Sequence, residues 1–419
     1  MIGRNRAAAL CAVALATLPP VLTLPGALTA RRAAQESALE AEVLATNIDY
    51  LEARLARDRW NWLVAGHLAD LYQARFRLTA ELADVTRAEK LIQTTLPLRS
   101  DPSPGLARLS SLLLGQHRFA EAYEAAREAA AVPFPSDMAL AALVDAARAF
   151  GKDAVADSAF ARITPATFAA AVRTAPTSSS RGAGQRVHRA CERLAEQGAS
   201  RDLRAWCVTR LAAIEAPRGA VAVQRRLDEA LRIQPDHRGA LEAAADLAYA
   251  SGDWKRARRL YARILSDAHP DLSLRLAEVN RLLGRDEEAA FHEGRFVSLA
   301  SDPGREALFG LELALYLARG GACERARPLA AAELERRHAV EAVEGVAWVH
   351  YLCGDLERAS ALLQAAASRT TETGEYLRAL VLRRENPEAA DRAILEATAD
   401  PTGLAPYAVY HHSISAAGS

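Results

Sequence analysis

Residues 238–265 read RGALEAAADLAYASGDWKRARRLYARIL, and this stretch decides the fold. On each side of Ser251-Gly252-Asp253, small and apolar residues recur every three or four positions, which predicts two amphipathic helices. Gly252 can adopt the positive φ that ends a helix without a steric penalty. Because one such hairpin cannot bury its apolar face alone, the stretch predicts neighbouring copies of itself.

Copies can be counted from a small residue about five positions after each predicted turn, which recurs on average every ~34 residues. These positions are Ala88, Ala122, Ala156, Ala190, Val223, Ala257, Ala289, Ala326, Ala359 and Ala390. Glycine lies five residues before the small residue in five copies, and a larger or apolar residue lies four residues after it in all but one. Small side chains at a fixed period let paired helices approach closely, so the pattern predicts a stack of hairpins.

This pattern resembles that of bacterial tetratricopeptide repeat proteins over roughly residues 60–400. The segments 108–130, 225–265 and 346–366 match it most closely. The resemblance implies an all-α, right-handed solenoid of about nine or ten stacked hairpins. It also implies a protein-interaction scaffold, because that is the general role of the family.

The repeats divide into two blocks. We expect an N-terminal block over residues 33–170 and a C-terminal block over residues 201–400. Between them, residues 171–200 form a degenerate repeat whose first helix is replaced by a flexible loop at 175–184. This loop is either a hinge or a surface insertion in one rigid array. Residues 401–419 are polar and small, and we expect a disordered tail.

The first thirty residues have the layout of a secretory signal peptide. Arg4 and Arg6 precede an uncharged run over residues 7–30, and Leu28-Thr29-Ala30 is an acceptable cleavage site. Pro19-Pro20 interrupts the run, which disfavours a straight membrane-spanning helix. We therefore expect a periplasmic or secreted protein, with an uncleaved N-terminal membrane anchor as the alternative.

Export bears on the cysteines, because disulfides form in oxidising compartments. Removal of Cys11 with the leader leaves four cysteines, which permits the pairs Cys191–Cys207 and Cys323–Cys353. The competing interpretation, which we favour at this point, is that all four are small buried apolar residues in helices.

The charge balance and the absence of catalytic motifs limit the classes of function that the chain can have. Lys plus Arg and Asp plus Glu are both 52, so the zero net charge gives no support for nucleic-acid binding. No phosphate loop, nucleophile elbow or metal-ligand spacing occurs, and His350 is best explained as an interior histidine. We therefore expect no catalytic residues, no cofactor and no metal.

The predicted binding surface is the concave groove. By resemblance to the family, certain positions of each first helix point inward. In this sequence they include Asp145, Arg148, Glu242, Asp246, Tyr249, Glu278, Arg281, Leu311, Leu315, Trp348 and Tyr351. The groove is then acidic and polar in its middle and apolar-aromatic near its C-terminal end.

Two functions follow from this surface. The first is an exported scaffold that binds a protein or peptide in the groove, with Trp348 and Tyr351 as anchors. The second is a self-associating structural module of the cell envelope. A competing interpretation of Trp348 and Leu315 is that they pack against a capping segment such as residues 404–410.

Overall fold

A computed structural model describes residues 24–164, 167, 183–215, 219–302, 305–367 and 371–383. Within these ranges the chain is almost entirely helical, and extended pairing is limited to an isolated bridge between Ser266 and His269. None of the described helices combines the length and the apolar composition needed to cross a bilayer. The predictions for residues 1–23, for most of the loop at 175–184 and for the tail lie outside the described residues.

Nineteen α-helices are described. They are α1 (Leu24–Arg57), α2 (Trp62–Thr79), α3 (Leu82–Thr95), α4 (Ser103–Gly115), α5 (Phe119–Ala129), α6 (Asp137–Phe150), α7 (Asp153–Arg162), α8 (Ala183–Glu196), α9 (Arg201–Ile214), α10 (Ala220–Ile233), α11 (Arg238–Ala250), α12 (Trp254–Ile264), α13 (Asp271–Leu282), α14 (Asp286–Ala300), α15 (Glu306–Arg319), α16 (Cys323–Arg336), α17 (Val340–Leu352), α18 (Leu356–Ala365) and α19 (Glu372–Leu382). A short 3₁₀ helix, Leu96–Leu98, follows α3.

The helices pack as consecutive hairpins. The pairs α2–α3, α4–α5, α6–α7, α9–α10, α11–α12, α13–α14, α15–α16 and α17–α18 each lie side by side, and most second helices also pack on the next first helix. Buried residues therefore form a strip of neighbouring clusters along the stack. This confirms the predicted stack of helical hairpins.

The small residues that defined the repeat lie where the helices cross. Those within the described ranges are each no more than 6% exposed: Ala88, Ala122, Ala156, Ala190, Val223, Ala257, Ala289, Ala326 and Ala359. Ala390 lies outside the described residues. Because a larger side chain at these positions would hold the two helices apart, their burial explains the period seen in the sequence.

The hairpin turns use left-handed glycines as predicted. Gly151, Gly252, Gly284, Gly321 and Gly354 have φ between 69° and 89°. In the α4–α5 turn, His117 takes the same conformation with φ 54°, which is uncommon for a residue with a side chain. His117 is therefore held in place by contacts beyond its own turn.

Both disulfides are present, so the favoured interpretation of the four cysteines as unpaired was wrong. Cys191 of α8 is bonded to Cys207 of α9, with Cα atoms 5.8 Å apart. Cys323 at the start of α16 is bonded to Cys353 after α17, with Cα atoms 5.6 Å apart. Each bond joins two consecutive repeats.

Replacing Cys323 and Cys353 by serine should lower the free energy of unfolding of the C-terminal hairpins. The bond closes a loop of 30 residues, for which loss of unfolded-state entropy gives about 3 to 4 kcal/mol. Thermal unfolding of oxidised wild type and double variant measures this. In the presence of reductant the two proteins should have the same melting temperature. A difference that persisted there would mean that the serines destabilise the protein by an effect other than loss of the disulfide.

Two parts of the stack that are far apart in sequence touch along their edges, while the predicted division into two blocks stays a prediction. We call this edge the block contact: it comprises His117, Phe119, Phe150 and Gly151 on one side and Phe309 and Arg336 to Ala339 on the other. Arg336 donates a hydrogen bond of 3.1 Å to the His117 carbonyl, and the His338 amide donates one of 3.2 Å to the Phe150 carbonyl. The Arg337 guanidinium lies 4.4 Å from the Phe119 ring centroid. The stack therefore curves far enough for residues some 200 positions apart to meet.

Candidate partner-binding surface

The predicted polar groove residues lie on neighbouring first helices and are joined by ion pairs. Arg275 of α13 contacts Asp246 of α11 at 2.6 Å and Glu242 of α11 at 3.4 Å. Tyr261 of α12 donates its hydroxyl to the same Asp246 carboxylate at 2.5 Å. Burial raises the pKa of Glu242, against the opposing effect of Arg275. These charges hold successive repeats together.

A second group of ion pairs joins α13 to α15. Glu278 is buried and accepts hydrogen bonds from Arg319 at 2.9 Å and from Arg281 at 3.2 Å. Arg281 also pairs with Glu293 of α14. Tyr249 is buried nearby, and its pKa is raised by burial and by the charge of Glu278. The predicted acidic middle of the groove is thus largely neutralised by arginines of the same chain.

A cleft of about 390 Å³ opens beside this second group. Its lining residues are Leu274, Arg281, Glu293, Tyr316, Leu317, Arg319, Gly320 and Ala322. The Arg281 side chain is 41% exposed, and the Tyr316 ring packs edge-on against Phe296 at 5.7 Å between centroids. The cleft therefore combines a positioned guanidinium with an aromatic wall. Tyr316 was missed because it directly follows Leu315, the residue that we assigned to the groove, and so points to a different side of α15.

The apolar-aromatic end predicted for the groove lies inside the protein. Trp348 has no exposed surface, and Leu311 and Leu315 are buried in the same cluster. The Trp348 ring stacks on Tyr376 of α19 at 6.4 Å and meets Tyr351 edge-on at 5.7 Å. Helix α19, which follows the last hairpin, covers this surface, as expected for a capping segment; residues 404–410, named as an example of such a segment, lie outside the described residues.

Asp145 and Arg148 lie apart from the other predicted residues. They are on α6, where Arg148 lies 5.9 Å from the Phe160 ring centroid. Both are close enough to Arg210 of α9 to influence its pKa, which burial lowers most strongly. These two residues thus lie near Arg210 of α9 and do not line the cleft.

The His117 imidazole is part of the block contact. Its ring lies 5.4 Å from Phe119 and 6.1 Å from Phe309, between centroids. Burial lowers the pKa of His117, and Arg337 and Arg336 lower it further, while the Leu308 carbonyl and Glu333 act in the opposite direction. The neutral imidazole is therefore the form that fits the contact.

We predict that protonation of His117 destabilises the folded state. Because its folded pKa lies below the unfolded value of about 6.5, stability is complete above that pH and falls as pH drops below it. A His117→Asn variant keeps a residue that tolerates positive φ and removes the titration. Denaturant unfolding between about pH 7.5 and pH 5 should show a smaller loss for the variant. Equal losses would assign the effect to other histidines such as His237 and His269, whose pKa values desolvation also lowers.

Among the described residues, no group of three or more His, Cys, Asp or Glu side chains is arranged to hold a metal ion. His350 is satisfied by a contact of 3.1 Å between its Nδ1 and the Asp355 carboxylate, as expected for an interior histidine.

The consecutive hairpins, the buried small residue in each described repeat and the left-handed glycines before it identify the fold. The chain has a tetratricopeptide-repeat fold. The sequence matches no family model and no curated protein.

Solved tetratricopeptide-type structures resemble the chain at low identity. A tetratricopeptide repeat protein from Parabacteroides merdae is 18% identical over 52% of this chain and 85% of its own, with a TM-score of 0.33. Yeast Tom70 is 12% identical over 93% and 96%, with a TM-score of 0.31. The APC/C hetero-tetramer Cut9–Hcn1 gives 13% identity over 90% and 95%, with a TM-score of 0.32.

Proposed function

We propose that this tetratricopeptide-repeat chain is an exported, non-catalytic scaffold that binds a protein or peptide segment at the cleft between α13, α14 and α15. The observation that carries the proposal is the cleft itself, where Arg281 is half exposed and positioned beside Tyr316. The binding role of the remaining predicted groove residues stays a prediction.

Pre-organisation supports this assignment. Arg281 is held by Glu278 and Glu293, so little side-chain entropy is lost when a ligand arrives. Its remaining N–H groups can donate to backbone carbonyls or to a carboxylate of a bound segment. Tyr316 adds an aromatic surface with a hydroxyl, a combination favoured in protein-binding sites. An extended segment with one apolar side chain and a nearby acceptor fits this chemistry.

Site-specific crosslinking in the native host tests the cleft. A photoreactive residue at position 316 should capture a defined protein, whereas one at Phe291, exposed on α14 outside the cleft, should not. Arg281→Ala should reduce capture at least several-fold. Arg285→Ala is the matched control, because Arg285 is similarly exposed and pairs with Glu288 away from the cleft. Equal capture by the two arginine variants would reject the cleft as the binding site.

Export is supported by the uncharged N-terminal run and by the two disulfides, which are typical of oxidising compartments. Mass spectrometry of non-reduced protein from the host tests it. We expect the mass of a chain that begins after residue 30, lowered by four hydrogen atoms because all four thiols are oxidised to disulfides. A chain that retains the leader and four free thiols would reject export.

A further inference from the structure

A second recess, of about 640 Å³, lies between α10 and the hairpin of α11 and α12, and we call it the α10–α12 groove. It shares no lining residue with the cleft. Its floor is apolar, because Leu247 and Ala248 line it and are only 5% and 4% exposed. Val221 of α10 lines the groove as well and is 86% exposed. The groove therefore offers an apolar surface of the size of a ligand site.

The helices beside the groove concentrate positive charge in a chain whose net charge is zero. Helix α12 contains five lysine or arginine residues and no acidic residue, and α10 contains three arginines and two acidic residues. The second helices of the following hairpins, α14, α16 and α18, each contain at least as many acidic as basic residues. The basic character thus belongs to this part of the stack.

The two acidic side chains that line the groove already have partners within the chain. Asp228 accepts a hydrogen bond of 2.7 Å from Gln224 and lies 3.9 Å from Arg256. Asp253 caps α12 by accepting a hydrogen bond of 3.1 Å from the Arg256 amide. These carboxylates therefore leave other cations of the groove without a counter-charge.

The acidic side chains beside the groove are paired as well. Glu229 contacts Arg226 of the same helix at 3.0 Å. Asp236, in the loop after α10, contacts Arg263 of α12 at 3.1 Å. Neither carboxylate neutralises the arginines that line the groove.

Four exposed cations of α10 and α12 have no carboxylate partner in the described part of the chain. Arg225 and Arg232 line the groove, and Lys255 and Arg259 lie on the exposed side of α12. At 100° per residue, Val221, Arg225 and Arg232 fall within about 40° of one another on α10. A ligand that packs on Val221 can therefore reach both guanidinium groups.

Two other occupants match this surface less well. If two copies paired groove to groove, the unpaired cations of both would be brought together, and like charges disfavour association. Single-stranded nucleic acid binds basic grooves that also present aromatic rings for stacking, and none of the described lining residues is aromatic. An apolar floor between unpaired arginines instead matches a chain that carries both carboxylates and an apolar side chain.

We propose that the α10–α12 groove binds an acidic segment of a partner protein that has an apolar residue among its carboxylates. The apolar side chain packs on Val221 and Leu247, and the carboxylates pair with Arg225 and Arg232, whose guanidinium groups can each donate two parallel hydrogen bonds. The cations of α12 attract the segment at longer range. Because the groove lies in earlier repeats than the cleft, this proposal does not depend on binding at the cleft.

A short synthetic peptide with glutamates on both sides of one leucine tests the proposal against the whole protein. Its fluorescence anisotropy should report binding that weakens at least fivefold in Arg225→Gln/Arg232→Gln and several-fold in Val221→Ser. Arg285→Gln/Arg325→Gln is the matched control, because it removes two exposed arginines outside the groove and changes the net charge equally. This control should bind as wild type does. The same peptide with glutamine replacing glutamate should bind at least fivefold more weakly.

Four outcomes would overturn the proposal. Equal weakening in the two double variants would show that only net charge matters. Binding lost in Arg281→Ala but kept in Arg225→Gln/Arg232→Gln would place the peptide at the cleft. Assemblies that grow with concentration in light scattering and disappear in Arg225→Gln/Arg232→Gln would assign the groove to an acidic surface of a second copy. Vesicles of anionic lipid that bind wild type more tightly than the peptide does, and lose binding in that variant, would assign it to a membrane.

Discussion

Gly151→Ala should destabilise the protein by about 3 kcal/mol, much more than the same change at another hairpin turn. Gly151 has φ 89°, and an alanine in that conformation costs about 1 to 2 kcal/mol. A Cβ atom at position 151 would also lie 2.4 Å from the His338 carbonyl carbon, which is backbone and cannot rotate away. The block contact must then open, with loss of the His338–Phe150 hydrogen bond, for about 1 kcal/mol more.

Gly252→Ala is the control for this experiment. Gly252 lies in the turn after α11, as Gly151 lies in the turn after α6, and has φ 75°, but a Cβ atom there would meet nothing within 4 Å. We expect this variant to lose only the conformational share, about 1 to 2 kcal/mol. Thermal unfolding compares the two, and hydrogen exchange reports the contact directly, because Gly151→Ala should expose the His338 amide. If both variants melted alike and His338 stayed protected, the block contact would contribute nothing to stability.

The repeat itself was predictable because it is a local property of the chain. Ala122 and Ala257 must be small wherever helices cross, and Gly252 must turn the chain whatever surrounds it. Each requirement recurs in every repeat, so the period appears in the sequence before any long-range contact is known.

The surface was harder to predict because it depends on how far the stack curves. Nothing near His117 in the sequence indicates that Arg336 will reach its carbonyl. Nor does the position of Glu278 within its repeat reveal that Arg319, from the next repeat, neutralises it. The position of a residue within its repeat indicates the helix face on which its side chain lies. It does not indicate which residues of other repeats that side chain contacts.

The cysteine pairing was harder to predict than the repeat but easier than the surface. An even number of cysteines permitted two bonds, but the sequence could not show that Cys323 and Cys353 occupy the turns of neighbouring hairpins. Consecutive turns lie on the same edge of the stack, which brings the two Cα atoms to 5.6 Å.

Trp348→Ala should reduce stability and leave partner binding at the cleft unchanged in molecules that remain folded. The side chain is fully buried between Tyr351 and Tyr376, so its removal should cost about 3 to 5 kcal/mol. Since the hairpins of a solenoid pack mainly on their neighbours, the loss should concentrate in α17, α18 and α19. Hydrogen exchange should show those helices losing protection while α2 and α3, which lie outside the block contact, keep theirs.

Phe134→Ala is the matched control, because Phe134 is 95% exposed and its removal should leave unfolding unchanged. Trp348→Phe, which retains an aromatic ring, should recover most of the stability. Unchanged stability together with lost binding would instead make Trp348 an anchor for a bound partner, as the sequence analysis proposed. If Trp348→Ala unfolded like wild type yet abolished capture of a partner, α19 would have to leave the C-terminal end and expose the aromatic surface. The cost of truncating Trp348 thus decides whether this end of the stack is a cap or a binding site.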